Sequence, residues 1–360
     1  IKAVLPTINT CLEGGASVVL MSHLGRPSGK VDPSLSLMPV GEELAGLLEM
    51  PIKFSDDCIS NDAIDNSLSL KAGEVHLLEN LRFHNGENLN DNYFASRLAR
   101  HGQIFINDAF GTAHRYHASN VGVASHFKHA GIGWLMDKEI NFLDRFMKKP
   151  NRPMTLILGG SKVSSKLGLI HQFMEKADHI IIGGGMAFTF LKANGKEVGG
   201  SLVDEDLIPT AKQILNLART SQVRLHLPVD VFCGKSPSDT NPKGTFKIND
   251  IPADLMGLDI GIDTITKFKD IISLSQTIVW NGPLGVFEEK EYSMGTREIG
   301  FHLANCVDNG QKVIVGGGDT SAATEKYGLS KLMTHVSTGG GASLELLSGN
   351  QLPALKALDS

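Results

Sequence analysis

The 360 residues are 41% hydrophobic and carry a formal net charge of -5, which is more chain than one core usually serves and enough for two domains of ordinary size. Charge is spread along the chain without a basic block, so there is no electrostatic footprint for nucleic acid or an anionic membrane, and a small-molecule partner is favoured. Cys11, Cys58, Cys233 and Cys306 lie far apart with no CxxC pair, which argues against a cysteine zinc site or a disulfide framework and reads as ordinary thiols in a reducing cytoplasm.

No apolar run approaches the roughly 18 residues of a membrane span, and no charged-then-apolar signal opens the chain. The chain begins at Ile1 in a helical pattern with Val4, Leu5 and Ile8, which reads as a trimmed start. Short apolar runs then alternate with amphipathic stretches, the pattern of βαβ units and a parallel sheet covered on both faces. Strands are expected at 17–21, 74–78 and 103–106, with a helix at 93–100. Residues 133–149 have helical spacing until Pro150 to Pro153 stop it, a connecting helix and domain boundary. Further strands are expected at 154–158, 179–182, 223–227, 277–280 and 312–315. The polar stretch 233–250 reads as a surface loop or hairpin. Nothing repeats at a fixed short period.

Ligands of open parallel sheets bind beyond the carboxyl ends of the strands, and these ends differ between the two halves. First-half strands run into SHLGRP with His23 and Arg26, ENLRFH with Arg82 and His84, and NDAFGTAHR with His114 and Arg115. Any one Arg is more often a surface cation, but three at strand ends suit a small, highly charged anion such as a phosphorylated acid. Second-half strands run into GGSKVSSK (159–166), GGGMAFTF (183–190), NGPLGVFE (281–288) and GGGDTSAA (316–323). Glycine lets backbone N–H groups approach an anion where a helix begins, which suits a polyphosphate, although a lone triplet serves a tight turn equally well. Lys162 and Lys166 stand one turn apart and are placed to face the same phosphates or else are solvated. Asp319 either caps a helix or coordinates magnesium. No loop spells a Walker motif or a clean GxGxxG with a downstream acid. An anion half facing a nucleotide half implies group transfer between two ligands brought together by closure.

The motifs SHLGRP, LLENLRFH, NDAFGTAHR, LGGSKV, GGGMAFTFLK, LPVDV, NGPLGVFE, GGGDT and STGGGASLELL closely resemble the phosphoglycerate kinase family in order and spacing, almost from end to end. The resemblance implies an α/β fold of two Rossmann-like lobes with parallel six-stranded sheets, joined by a long helix. The expected domains are 1–133 for 3-phosphoglycerate, the helix 134–150, and 151–349 for nucleotide, with the tail 350–360 returning to the first lobe and a hinge near Ser337 and Thr338. It implies reversible phosphoryl transfer from 1,3-bisphosphoglycerate to Mg-ADP, giving 3-phosphoglycerate and ATP, by a cytoplasmic monomer.

Residue by residue, the resemblance implies acid-substrate binding by His23, Arg26, Arg82, His114 and Arg115. Nucleotide falls to Gly160, Ser161, Lys162, Lys166, Gly183, Gly184, Gly185, Asn281, Pro283, Glu288, Gly316, Gly317, Gly318, Asp319 and Thr320. Lys162, Arg115, Gly317 and Gly340 stand nearest the transferred phosphoryl, and Asp319 is promoted to magnesium ligand. Ser165 and Ile262 stand where many members carry Asp and Pro. The family's opening strand, with its Asp and Asn ligands and a following Arg, would precede Ile1, so this exact chain is expected to be feeble or inactive. The competing readings are a nonenzymatic nucleotide-binding protein of the same fold and an NAD-dependent dehydrogenase, suggested by IIIGGGMAF.

Overall fold

The protein is described by a computed structural model covering residues 1–359, the side chains of residues 145 and 147 excepted. The chain divides into two compact units, Ile1–Phe142 with the stretch from Gln351 onward, and Leu143–Asn350. No helix among the described residues is long and apolar enough to cross a membrane.

The first unit contains α1 (Leu5–Glu13), β1 (Val18–Leu20), α2 (Met38–Leu48), β2 (Ile52–Ser55), α3 (Asn61–Leu68), β3 (Val75–Leu78), α4 (Asn85–Asn88), α5 (Asn92–Ala99), β4 (Phe105–Asn107) and β5 (Ala130–Ile132). Local chemistry starts its helices: Ser60 accepts from the Ala63 N–H at the head of α3, and Asp91 from the Phe94 N–H at the head of α5, each satisfying a donor the helix leaves open. Strands β1, β3 and β2 form a parallel sheet with β3 central, and β4 pairs in parallel with β5. The expected single six-stranded sheet is therefore corrected to a three-stranded and a two-stranded one. Among the described residues β1 and β4 are each hydrogen-bonded along one edge only, so no strand joins the two. Leu78, Leu81, Phe94, Leu98 and Val123 form the core, with Ala357 and Leu358 packed against it, and the Ala354 N–H donates to the Ala113 carbonyl at 3.1 Å.

Helix α6 (Trp134–Lys148) carries the chain across the division between units. The second unit continues with β6 (Met154–Leu158), α7 (Leu167–Met174), β7 (His179–Ile182), α8 (Met186–Ala193), α9 (Ile208–Thr220), β8 (Arg224–His226), β9 (Asp230–Gly234), β10 (Gly244–Lys247) and β11 (Met256–Ile260). Then come α10 (Ile262–Ser273), β12 (Thr277–Asn281), α11 (Met294–Asp308), β13 (Lys312–Gly316), α12 (Gly318–Lys326), β14 (His335–Val336) and α13 (Gly341–Leu347), before α14 (Pro353–Lys356) rejoins the first unit. The main sheet has six parallel strands in the order β14-β13-β12-β6-β7-β8. Its inner strands read as unbroken apolar runs because both faces are covered. Trp280, Ile157, Ile278 and Val315 meet Ile265, Phe268 and Ile272, spaced along one face of α10.

Residues 233–250 form a hairpin between β9 and β10, and β11 adds to β9 to make an antiparallel three-stranded sheet that the parallel reading of this half did not anticipate. The core of the second unit makes a direct prediction. Phe268→Ala, at a fully buried ring, lowers unfolding stability by about 3–5 kcal/mol. Phe301→Ala, at a ring 46% exposed on α11, changes it by less than about 0.5 kcal/mol. Denaturant unfolding read for each unit checks both values, and equal effects would contradict the assigned core.

Candidate functional site

In the first unit, Asn80 assembles the basic loops. Its amide is fully buried just past the end of β3. It donates to the carbonyls of Leu24 at 2.7 Å and Leu35 at 3.0 Å, and accepts from the N–H groups of Leu24 at 3.2 Å and Arg82 at 3.1 Å. Those bonds tie the SHLGRP loop after β1 to the ENLRFH loop after β3. Arg82 is braced by a 2.7 Å bond to the Gly25 carbonyl. Its pKa is lowered, first by desolvation and then by the charges of Arg115 and Arg26, so the three guanidinium groups share one electrostatic neighbourhood. Their mutual repulsion is relieved by a bound anion.

His23 joins this set through a partner that sequence reasoning missed. Its Nε2 lies 2.5 Å from Oε1 of Glu87, which is completely buried and also accepts from the Ser119 N–H at 3.0 Å and hydroxyl at 2.7 Å. Burial opposes ionisation of Glu87, but the bond and charge of His23 and the Ser119 donors outweigh it and hold the carboxyl below its ordinary range. The available signal was an acid in an otherwise basic loop, three residues beyond His84. His114 and Arg115 follow β4 and are half-buried.

In the second unit the four glycine loops converge. Asn281, the last residue of β12 and fully buried, donates through Nδ2 to the Gly316 carbonyl at 2.7 Å. Its Oδ1 accepts from Lys166 Nζ, and its carbonyl accepts from the Gly159 N–H at 2.9 Å. One side chain thus links the loops after β6, β12 and β13. Gly159 and Gly282 cross so closely that a Cβ on Gly159 would stand 2.1 Å from the Pro283 carbonyl oxygen, and one on Gly282 2.3 Å from that of Gly159. The Gly160 N–H donates to the Pro283 carbonyl at 2.8 Å and the Met186 N–H to the Gly160 carbonyl at 2.9 Å, which brings in the head of α8. Thr320 accepts from the Gly282 N–H at 2.6 Å.

Around this crossing lies a cavity of about 300 Å³ lined by Gly160, Ser161, Gly184, Gly185, Pro283, Glu288 and Asp319, with Phe188, Leu202 and Leu284 among its apolar walls. Asp319 sits in the first turn of α12, where Gly317 is the N-cap and no side chain caps, so the capping alternative does not hold. Its exposed carboxylate makes no hydrogen bond to another described residue. Lys166 is largely buried, and desolvation lowers its pKa while Asp319 partly restores it. Lys162, one turn earlier, is exposed, so the two lysines differ in surroundings. Gly318 opens α12 and Gly340 is the N-cap of α13. A larger cavity of about 1000 Å³, beside β8 and α9, shares only Pro228 with the first and includes none of the glycine loops.

The family model described as phosphoglycerate kinase matches residues 1–350. The chain belongs to the phosphoglycerate kinase family. It is 47% identical over 359 residues to phosphoglycerate kinase of Thermosynechococcus vestitus, covering 100% of this chain and 90% of that protein. It is likewise 47% identical over 355 residues to that of Prosthecochloris aestuarii, covering 99% and 89%. The solved phosphoglycerate kinase of Coxiella burnetii superposes with a TM-score of 0.86 at 39% identity, covering 99% of this chain and 89% of that one. The fold class read from the sequence is thus the observed one, and nothing favours the dehydrogenase or the nonenzymatic alternative.

The wall of the 300 Å³ cavity also holds Asp259 of β11, which the strand reading overlooked although LDIG closes an apolar run. Asp259 is buried and accepts from the N–H groups of Gly295 at 2.7 Å and Ile260 at 2.9 Å. Burial nonetheless pushes its pKa from 3.8 up to about 8. Between those values the folded protein keeps a proton that the unfolded chain has released, so this residue makes stability fall as pH rises through that window. Asp259→Asn is expected to flatten the decline, measured as unfolding free energy against pH; parallel curves for the two proteins would refute the buried protonated acid.

Proposed function

We propose that the first unit holds 3-phosphoglycerate or 1,3-bisphosphoglycerate through His23, Arg26, Arg82, His114 and Arg115, and the second holds ADP or ATP. Phosphoryl transfer between a carboxyl group and a nucleotide is the family's glycolytic reaction. The observation that carries the assignment of ends is the cavity that gathers Gly160, Ser161, Gly184, Gly185, Pro283, Glu288 and Asp319. Its apolar walls suit a base, Glu288 suits a ribose, and the glycine loops after β6, β7 and β13 suit the phosphates, with Gly183, Gly316, Gly317, Gly318 and Thr320 completing them.

Asp319 fits magnesium. It offers one free, exposed carboxylate beside anion-binding loops, and magnesium is commonly held by one or two carboxylates and substrate phosphates. When bound, the ion neutralises phosphate charge. The attacking group, a carboxylate or an ADP phosphate, is already ionised near neutral pH and needs no general base. Catalysis therefore rests on positioning and on charge stabilisation by Lys162, Arg115 and the backbone at Gly317 and Gly340, while Lys166 is steadied by Asn281. Two ligands held on separate units need closure to react, and water must be kept from the acyl phosphate. We take the protein to act as a cytoplasmic monomer.

The test is ATP-dependent phosphorylation of 3-phosphoglycerate by the full-length protein, with the acyl phosphate trapped by hydroxylamine. Lys162→Ala should lower kcat by about 10²–10³-fold, the usual effect of removing one charge-stabilising donor, with intact folding and nucleotide binding. Unchanged turnover would remove Lys162 from the transfer step.

A further inference from the structure

His23, Glu87 and His117 close a small polar cluster in the first unit, distinct from the Asp319 assigned to magnesium and sharing His23 with the proposed acid-substrate set. Glu87 Oε1 lies 2.5 Å from His23 Nε2 and 3.6 Å from His117 Nδ1, and the three potential ligand atoms all fall within 4.8 Å of one another. His117 is only 8% exposed. Its Nδ1 is buried without a hydrogen-bond partner, although it faces a fully buried carboxylate just beyond hydrogen-bond reach. Buried polar atoms in folded proteins are almost always satisfied, so this nitrogen points to a partner that the chain itself does not supply.

We propose that His23, Glu87 and His117 form a binding site for a divalent transition-metal ion, with zinc the best fit. Two imidazole nitrogens and one carboxylate oxygen are a borderline donor set that suits zinc, whereas magnesium and calcium prefer oxygen alone. Zinc–ligand bonds of about 2.0–2.1 Å in a tetrahedron place ligand atoms roughly 3.3–3.4 Å apart, and the observed 2.5 and 3.6 Å separations bracket that spacing.

Entry of the ion requires His23 Nε2 and Glu87 Oε1 to move apart by about 0.8–0.9 Å while His117 stays near its present distance from Glu87. The hydrogen bond between His23 Nε2 and Glu87 is replaced by a nitrogen–metal and an oxygen–metal bond, and any proton on that nitrogen leaves to solvent. The fourth position falls to water or to the Ser119 hydroxyl, which is 3.4 Å from His23 Nε2. The charges of Arg82 and Arg115 oppose a cation here, and the buried Glu87 carboxylate offsets part of that.

The neighbouring trio Asp57, Cys58 and His84 is a weaker candidate. Burial, first, and nearby acids push the Cys58 thiol well above its ordinary range, so it does not offer the thiolate that binds metal.

The test is titration of the metal-free full-length protein with Co²⁺, read by its visible absorption, followed by displacement with Zn²⁺. One equivalent should give the intense spectrum of a four-coordinate ion, and zinc should abolish it. His117→Gln, which keeps size and polarity, should weaken Co²⁺ at least about tenfold, as loss of a ligand or even of its support does. Asp319→Ala should leave the spectrum unchanged, which separates this site from the magnesium assignment. Should His117→Gln fail to fold, as judged by circular dichroism, Glu87→Gln provides the same reading. Absence of a four-coordinate spectrum in the wild type, or an identical spectrum in the folded variant, would overturn the site.

Discussion

A buried asparagine amide at the carboxyl end of a central strand is the constraint on which each unit's binding loops depend. The Asn281 side chain, at the end of β12, reaches Lys166 in the loop after β6 and the Gly316 carbonyl at the end of β13. Asn80, just beyond β3, reaches the Leu24, Leu35 and Arg82 loops. An amide both donates and accepts, so one side chain can fix loops from several strands while leaving no buried polar group unmet. Loss of either amide would strand those partners, at a cost of roughly 1–3 kcal/mol for each unsatisfied group. The candidate site residues of both units thus lie on loops that these amides tie to the sheet.

The candidate loops of the two units differ in kind. In the first, desolvation lowers the pKa of Arg82 and the charges of Arg115 and Arg26 lower it further, a repulsion that suits these loops to an anion. Buried Glu87 moderates it by holding His23. In the second, the glycine loops lie at strand ends and helix starts, and Gly159 and Gly282 cross too closely for a side chain on either.

The sequence made the parallel α/β architecture legible because β6, β7, β12 and β13 are unbroken apolar runs, and the strand-end loops declared themselves by Arg or Gly content. The order and spacing of the motifs could be read as a family resemblance, which the comparisons bear out. Other features depend on contacts distant in the chain. Glu87 and Asp259 become notable only through burial, which no local pattern reports. The antiparallel sheet of β9, β10 and β11 hides in polar, turn-rich sequence whose pairing partners are set by tertiary contacts. The first unit's two separate sheets depend on which edges find partners, and periodicity is silent on that. Asp319 was ambiguous between cap and ligand until Gly317 proved to occupy the cap position.

Equilibrium binding of 3-phosphoglycerate and of Mg-ADP, each measured alone by calorimetry on Arg82→Ala and Lys166→Met, tests the division of labour most directly. Segregated sites predict that Arg82→Ala weakens 3-phosphoglycerate at least about tenfold while Mg-ADP stays within about twofold, and that Lys166→Met does the reverse. Loss of both ligands together in either folded variant would contradict it.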